Sequence, residues 1–469
     1  MAGPRLGTNP TAAALGLALA MTLAGCATMI PPYERPAAPI APSYPLAPAA
    51  QMPAGAAASD IEWQNYFGDE RLKRLIDIAL NNNRDLRIAA LNIEQARAQY
   101  QIRRADLFPT VGIGASGSRQ PIGGSMVSTY SAGLAVTAYE LDFFGRVRSL
   151  SAAALAQYLG TEEARKNVQI ALIAAVANTY LSLLADDELI AVTRRTLLTR
   201  EESFKLTKLK YDVGVVSELD YRQAESLLEG ARAVLPLQIR QRAADENTLV
   251  LLLGQPLPAD LPPGLSLASQ NLINELPVGV PSEVLARRPD VRQAEQQLIA
   301  ANANIGAARA AFFPKITLTG SAGSASSELS GLFKSGSSAW SFFPQLLLPI
   351  FDAGRNQANL DVANVSRDIA VAQYEKTIQT AFREVSDALA GSATLGEQVR
   401  AQEAQVNAEA ARFRLADLRY RNGAASYLDI LDAQRSLFVT QLALVQAQAA
   451  LVQNQVSLYK ALGGGWKTP

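Results

Sequence analysis

Two very long stretches of the chain have the spacing of apolar and polar residues expected for helices, and neither contains a proline. They are Ser149–Lys210 and Ala358–Arg419, each about 60 residues long. At ~1.5 Å per residue, such a helix measures roughly 90 Å. Helices in globular domains average about 11–12 residues. The pattern therefore predicts an extended helical architecture.

Each long helix is predicted to end in a tight turn and to be followed by a returning helix. The turn glycines and the serines expected to cap the returning helices are Gly214 with Ser217 and Gly423 with Ser426. The returning helices are expected to reach about Leu253 and Leu462. Pro236 is expected to interrupt the first of them.

A shorter helix and two strands are predicted ahead of each long helix. The short helices cover about Leu86–Asp106 and Val291–Ala311, and a Phe-Pro pair ends each one because proline cannot continue a helix. Gly/Ser/Thr-rich segments of alternating polarity then predict strands. Gly123-Gly124 marks the first hairpin loop, and the second is expected near Gly331–Gly336. Aromatic residues at the strand ends suit a membrane-interface girdle: Tyr139, Phe143, Phe144, Trp340, Phe342, Phe343 and Phe351.

This order of elements occurs twice, so the chain is a tandem repeat. The matching signals are RADLFP with RAAFFP, ELDFFGRVR with PIFDAGR, and YDVGVVSELD with YRNGAASYLD. The spacing between the copies stays just over 200 residues and changes only within the predicted hairpins. We assign repeat 1 to residues 60–265 and repeat 2 to residues 266–469.

The composition disfavours nucleic-acid binding and most enzyme chemistry. The chain has 43 basic and 43 acidic side chains, no histidine and one cysteine. A nucleic-acid-binding protein would show a basic excess. Histidine is the commonest general base and a common metal ligand. We therefore expect neither an enzyme nor a metal or other cofactor.

The amino end is predicted to be a processed leader. An apolar run, Ala12–Leu23, is too short to span a bilayer permanently, and Leu23-Ala24-Gly25-Cys26 follows it. This sequence resembles a bacterial lipobox, so residues 1–25 are interpreted as the signal peptide and Cys26 as the lipidated residue. The alternative is an ordinary signal peptide with an incidental cysteine. Residues 26–59 are rich in proline and alanine, which predicts an extended tether.

Beyond the tether no apolar run reaches the ~18 residues that a membrane helix needs, so any membrane crossing must use strands. Four strands cannot close a barrel, and open strand edges are not tolerated in lipid. Two chains would supply eight strands, enough only for a bore filled by side chains, so a conduit favours three chains and 12 strands. The fold class is thus a membrane β-barrel plus an α-helical barrel, with four strands per chain.

The tandem FP…GR…YxxGxxxxLD pattern resembles the TolC/OprM family of outer-membrane efflux proteins, over nearly the whole chain. The lipid-anchored OprM branch is the nearest likeness, through YERPAAP, ARAAFFP, AQYEKTIQTAF and LDAQRSLF. The resemblance implies a trimer whose barrel lies in the outer membrane and whose helical tunnel crosses the periplasm. It implies passive efflux of small molecules, with a periplasmic adaptor (membrane fusion protein) and an inner-membrane RND-type pump as partners. Ala27, in place of an aspartate after Cys26, favours sorting to the outer membrane.

The resemblance also implies where the duct closes. The positions that match the family's periplasmic aperture are Leu428, Asp429, Asp432 and Arg435. Asp432 is expected to pair with Arg435, because carboxylates brought together by threefold symmetry repel one another. Spacing alone leaves an ordinary solvated helix face as the alternative. In copy one Gln223 replaces Asp432, so copy two is expected to build most of the aperture.

The helical turns are expected to receive the adaptor. The residues assigned to this docking surface are Gly214, Val215, Arg421, Gly423 and Ala424. Simple turn chemistry is the plainer interpretation, and the two are compatible. Other functions left open are a duct for type I protein secretion, a metal-efflux variant, a soluble coiled-coil scaffold, and an enzyme based on Asp429 and Asp432.

Overall fold

The computed structural model describes residues 28–45, 58–270, 272–273, 276 and 281–466. The elements of the first repeat are α1 (Glu70–Asn82), α2 (Arg84–Ala105), β1 (Val111–Ile122), β2 (Ser125–Leu141), α3 (Arg146–Asp212) and α4 (Glu218–Leu253). Those of the second are α5 (Pro289–Ala310), β3 (Lys315–Ser326), β4 (Ser338–Leu347), α6 (Arg355–Arg421) and α7 (Tyr427–Ala461). Single helical turns lie at Ala58–Asp60, Trp63–Tyr66, Leu267–Ser269 and Leu329–Gly331, and a short helix at Pro281–Arg287.

The two long helices are confirmed, and each contains 67 residues. The predicted interruption at Pro236 is wrong, because α4 continues through this residue. Proline removes one backbone hydrogen bond from a helix interior. Buried residues on both sides of Pro236, such as Ala231 and Leu249, hold the two halves against the rest of the protein. This packing outweighs the lost bond.

The four strands form one antiparallel sheet in the order β1-β2-β3-β4, so β1 and β4 are its edges. The first hairpin turns at Gly123 and Gly124, whose φ angles of 60° and 84° require the freedom of glycine. Gly133 lies opposite Gly323 across β2 and β3. A Cβ at either position would collide with the backbone of the other strand, so these glycines allow the close approach.

The chain divides into two compact units that do not coincide with the repeats. Among the described residues, the first unit contains residues 28–37, 91–162 and 293–376, which include the whole sheet. The second contains residues 38–45, 58–90, 163–292 and 377–466 within the described ranges, including both helical turns.

The second unit holds the largest hydrophobic core, built from α1 and segments of α3, α4 and α7. At its centre the rings of Tyr66 and Tyr459 stack with their centroids 4.0 Å apart. The Tyr459 hydroxyl donates to the carbonyl of Ile61 at 2.6 Å, which satisfies a polar group inside the core.

Two helices, α3 and α7, have windows long and apolar enough to cross a membrane by length and composition. The expectation that no such window exists was therefore wrong. In α3 the window is 61% buried within the protein, as in a core helix. The stretch carries uncharged polar residues such as Gln169, whose amide donates to the carbonyl of Gly465 at 3.1 Å.

Candidate functional site

The turn that joins α3 to α4 is a Schellman motif. The amide of Gly214 donates to the carbonyl of Tyr211 at 2.9 Å, and the amide of Val215 donates to the carbonyl of Lys210 at 2.8 Å. Gly214 has a φ of 76°, a conformation that strains any residue with a Cβ. The local sequence therefore fixes where the helix ends.

The turn between α6 and α7 has the same geometry. Gly423 donates to the carbonyl of Tyr420 at 2.9 Å, and Ala424 donates to the carbonyl of Arg419 at 2.8 Å. The φ of Gly423 is 74°. The repeated sequence pattern thus produces the same turn twice.

Each returning helix begins with a capping box, which confirms the predicted N-cap serines. Oδ2 of Asp429 accepts hydrogen bonds from Oγ of Ser426 at 2.9 Å and from its amide at 3.0 Å. Asp220 binds Ser217 in the same way. The hydrogen bonds from Ser426 hold the pKa of Asp429 below its usual value. Asp429 therefore stabilises the start of α7, whatever its role at a pore.

The predicted aperture residues lie together on the exposed side of the first turns of α7. They are Leu428, Asp429, Asp432 and Arg435. The opposite side of the helix is buried and carries Tyr427, Ile430 and Leu431. These three residues pack with Ala224 and Leu227 of α4. This packing thus holds the four predicted aperture residues on the surface.

The expected pairing of Asp432 with Arg435 is replaced by a different ion pair. Asp432 binds the guanidinium of Arg412, which also binds Glu409 at 3.2 Å. Arg412 and Asp432 are each ten residues from Asn422, in the turn between two antiparallel helices. Residues equidistant from such a turn face each other, so counting from the turn would have found Arg412.

Copy one lacks this polar group on its returning helix. Gln223 stands at the position of Asp432 and is partly buried, and Leu227, at the position of Ser436, is buried. The asymmetry between the copies therefore includes burial as well as charge.

Four of the five predicted docking residues lie in the two exposed turns, and Arg421 is the exposed last residue of α6. Val215 is 71% exposed, and no atom lies within 4 Å of a Cβ built on Gly214 or Gly423. Arg421 forms an exposed ion pair with Asp417, one helical turn earlier, at 2.9 Å. The surface is therefore accessible and carries a positive charge held by its own helix.

Cys26 lies outside the described residues, whereas the segment that follows it is held against α5. Arg35 makes a bidentate ion pair with Glu295 at 2.7 and 2.9 Å, and the Tyr33 hydroxyl donates to the same carboxylate at 3.1 Å. Asn302 donates to the carbonyl of Pro31 at 2.8 Å. A Cβ on Gly306 would collide with Ile30. This glycine therefore makes room for the segment.

The predicted aromatic girdle differs between the repeats. In copy two Trp340 is 80% exposed and Phe351 is 90% exposed, as expected of side chains that face lipid. In copy one Phe144 stacks on Phe313 with centroids 4.7 Å apart, and the Tyr139 hydroxyl donates to Leu107 at 2.9 Å. These two aromatic residues of copy one therefore make contacts within the protein.

Among the residues that the structure describes, no group of three or more histidine, cysteine, aspartate or glutamate side chains is placed to hold a metal ion. The carboxylates of Asp429 and Asp432 near the second turn are instead held singly, the first by Ser426 and the second by Arg412. Such an arrangement presents charge to solvent.

Comparison with known proteins gives consistent matches over almost the whole chain. The model of the family described as outer membrane efflux protein matches residues 75–255 and 280–464. The probable efflux pump outer membrane protein TtgC of Pseudomonas putida is 50% identical over 466 residues, which cover 97% of this chain and 96% of the relative. Outer membrane protein OprJ of Pseudomonas aeruginosa is 47% identical over 466 residues, with coverage of 98% and 97%.

A solved structure matches equally broadly. The open state of the Neisseria gonorrhoeae MtrE outer membrane channel has a TM-score of 0.86 and 44% sequence identity to this chain. The match covers 94% of this chain and 99% of that one.

Proposed function

The chain belongs to the outer membrane efflux protein family and is an outer-membrane exit duct that extends into the periplasm, and we propose that three copies assemble to form it. The main support for a trimer is the four-stranded sheet, whose two edge strands are β1 and β4. Unpaired strand edges are not tolerated in lipid, so neighbouring copies must pair with them. Three copies supply 12 strands, whereas two supply eight, which leaves no open bore.

Exposed apolar side chains on the long helices support the same assembly. On α6 they include Val362, Val365 and Ile369, and on α3 they include Leu206 and Leu209. An isolated chain would present these side chains to water. Neighbouring copies would cover them and line up the helices as a periplasmic tunnel.

We propose that conduction is passive and involves no catalytic step. The relatives include an antibiotic efflux pump outer membrane protein and a toluene efflux pump outer membrane protein, each 50% identical to this chain. Antibiotics and small apolar compounds are therefore the substrate class we assign. A periplasmic adaptor and an inner-membrane RND-type pump would supply the energy and contribute to antibiotic resistance.

The aperture is assigned to the exposed face of α7. In a trimer, Leu428 and Asp432 would each form a ring around the threefold axis. The ion pair between Asp432 and Arg412 would then offset part of the repulsion between neighbouring carboxylates. Opening requires the start of α7 to move away from the axis.

We assign the docking surface for the adaptor to the two helical turns. Each turn follows the end of a continuous 67-residue helix that begins near the strands. Their exposure and the charge of Arg421 support this assignment. A helical hairpin is the partner whose shape fits two such adjacent turns.

We further propose that Cys26 carries lipid. The segment from Ile30 to Arg35 packs on α5 in the same compact unit as the strands, so a lipid on Cys26 would be tied to the unit that enters the membrane. The test is labelling with radioactive palmitate, which wild-type protein should incorporate and Cys26→Ser protein should not.

The first experiment measures dye accumulation in a deletion strain that keeps its pump and adaptor. Deletion should raise the retained dye, and the wild-type gene should restore export. If accumulation were unchanged and a secreted protein disappeared from the medium, type I secretion would replace this assignment.

A further inference from the structure

Arg200 of α3 is a buried cation without a carboxylate partner among the described residues. Its side chain is only 6% exposed. Nη1 donates to the backbone carbonyl of Leu227 at 2.8 Å, and Nε has no hydrogen-bond partner within the described part of the chain. The guanidinium carbon lies 4.9 Å from the centre of the Phe438 ring. These contacts hold the group in place and leave its charge without an opposite charge.

The positive charge of Arg435 disfavours the charged form of Arg200. Burial first, and then the positive charge of Arg435, lower the pKa of Arg200 to about 10. Glu201, the next residue along α3, does not neutralise Arg200, because it pairs with Arg232 at 3.1 Å. Within the described ranges, the only acid at ion-pair distance from Arg195, which also lies on α3, is Glu188, at 3.9 Å.

Arg200 lines a cavity of about 170 Å3 between α3, α6 and α7. The other lining residues are Arg195, Thr196, Thr199, Phe413, Gln434, Leu437, Phe438 and Gln441. Two arginines, two threonine hydroxyls and two amides therefore border one space, and none of these described lining residues is a carboxylate. Ligand pockets for drug-sized molecules measure about 300–1,000 Å3. A cavity of about 170 Å3 therefore suits a ligand smaller than a drug-sized molecule.

A buried charge without a counter-ion is unfavourable, and proteins usually pair or neutralise it. The guanidinium cannot give up its proton at neutral pH. The opposite charge must therefore come from outside the described part of the chain. Guanidinium groups bind oxyanions and halides well, because they are planar, weakly hydrated and rich in donors.

We propose that this space, the Arg200 cavity, binds one small anion such as chloride or phosphate through the guanidinium of Arg200, with Arg195 as a second, exposed cation. The inference goes beyond efflux, because no step of conduction requires the ion. The bound anion would join α3 to α7 just behind the aperture face. It would therefore stabilise the contact between the two helical hairpins.

The test follows the melting temperature of the purified full-length protein in detergent. Sodium chloride and sodium phosphate are titrated separately into a low-salt zwitterionic buffer. The wild type should show a saturable rise of about 2 °C or more, because a ligand that binds only the folded state stabilises it. Arg200→Met should abolish the saturable rise.

Arg194→Met is the matched control, since Arg194 is an exposed neighbour on the same helix and does not line the cavity. It should respond as the wild type does. If Arg200→Met does not fold, Arg195→Gln should still fold and should need a several-fold higher anion concentration for half the effect.

Crystals of the wild type soaked in bromide give a direct measurement. An anomalous peak in the Arg200 cavity, lost on soaking with phosphate, is the expected result. An empty cavity, or a melting temperature that depends on salt equally in wild type and Arg200→Met, would overturn the proposal.

Discussion

The side-chain hydroxyls of Thr207 and Tyr427 form a hydrogen bond of 2.9 Å, which joins the end of α3 to the first residue of α7. Ser203 lies 3.1 Å from the same phenol oxygen. Thr207 is 5% exposed and Tyr427 is 8% exposed, so water does not compete for these bonds. The contact therefore fixes the start of α7, the helix to which we assign the aperture.

Replacing Tyr427 by phenylalanine should loosen this contact and keep the ring packing. The free energy of unfolding should fall by about 1 kcal/mol, the usual loss for one buried hydrogen bond. Because the start of α7 is then held less firmly, single-channel conductance in planar bilayers should rise. Tyr44→Phe is the control: Tyr44 is also buried, but its hydroxyl has no partner among the described residues. Equal losses of stability in the two variants would contradict the assignment.

Replacing Asp432 by alanine should open the aperture at little cost in stability. The ion pair with Arg412 is about half exposed on both sides, and such pairs contribute little to folding. Loss of a carboxylate ring should lower cation preference and raise single-channel conductance. Both quantities are measured in planar bilayers.

Asp77→Ala is the matched control for Asp432→Ala, since its side chain is also 50% exposed and pairs with an arginine of its own helix. It should leave conductance unchanged. Asp429→Ala is expected to lower the melting temperature as well, because Asp429 closes the capping box with Ser426. Unaltered conductance and selectivity in Asp432→Ala would remove Asp432 from the aperture.

The sequence predicted the two long helices, the strands and the helical turns of this protein because each has a strong local cause, whereas it did not predict α1. Gly214 and Gly423 end helices through their left-handed backbone, and Gly123 with Gly124 closes the first hairpin. Ser426 opens α7 through a local hydrogen bond. Signals of this kind act within about five residues and can be seen in a single sequence.

The contacts between helices were not predicted, because their partners are far apart in sequence. Thr207 meets Tyr427 across 220 residues, and Arg200 meets the carbonyl of Leu227 across 27. The interruption of α4 predicted at Pro236 was wrong for a related reason. Its local cost to α4 is outweighed by packing that only the folded protein provides.

Reversing the charge of Arg421 should disconnect the duct from its adaptor without affecting assembly. Arg421 is 74% exposed, and its ion pair with Asp417 lies within its own helix. Arg421→Glu should therefore fold and form trimers normally, while dye export by the complete efflux system falls several-fold. Trimer content is measured by native electrophoresis, and export by dye retention in cells.

Arg400→Glu is the control, because Arg400 is 76% exposed on α6 and pairs with Glu397 one turn earlier. It should support normal export. If both variants lost export equally, a general charge effect would explain the result and the turn would not be the docking surface.

The buried carboxyl group of Asp186 should make the stability of the folded protein depend on pH. Its side chain is 7% exposed in α3, and burial, followed by the neighbouring carboxyl of Asp245 and the charge of Asp187, raises its pKa to about 7. Arg242 does not cancel this effect, because it is engaged with Asp187 and Glu246, each at 2.5 Å. The folded state therefore holds a proton that the unfolded chain releases near the ordinary aspartate pKa of 3.8.

A raised pKa in the folded state gives stability that is fully present below the unfolded pKa and is lost as pH rises through the folded pKa. The contribution of Asp186 should thus decline between about pH 4 and pH 7. The melting temperature of the wild type should fall across this window by more than that of Asp186→Asn, because an amide cannot ionise. At pH 8 the variant should be the more stable of the two. Glu202→Gln, which removes an exposed carboxylate of the same helix that does not act on Asp186, should keep the slope of the wild type; if Asp186→Asn kept it too, the proton would reside elsewhere.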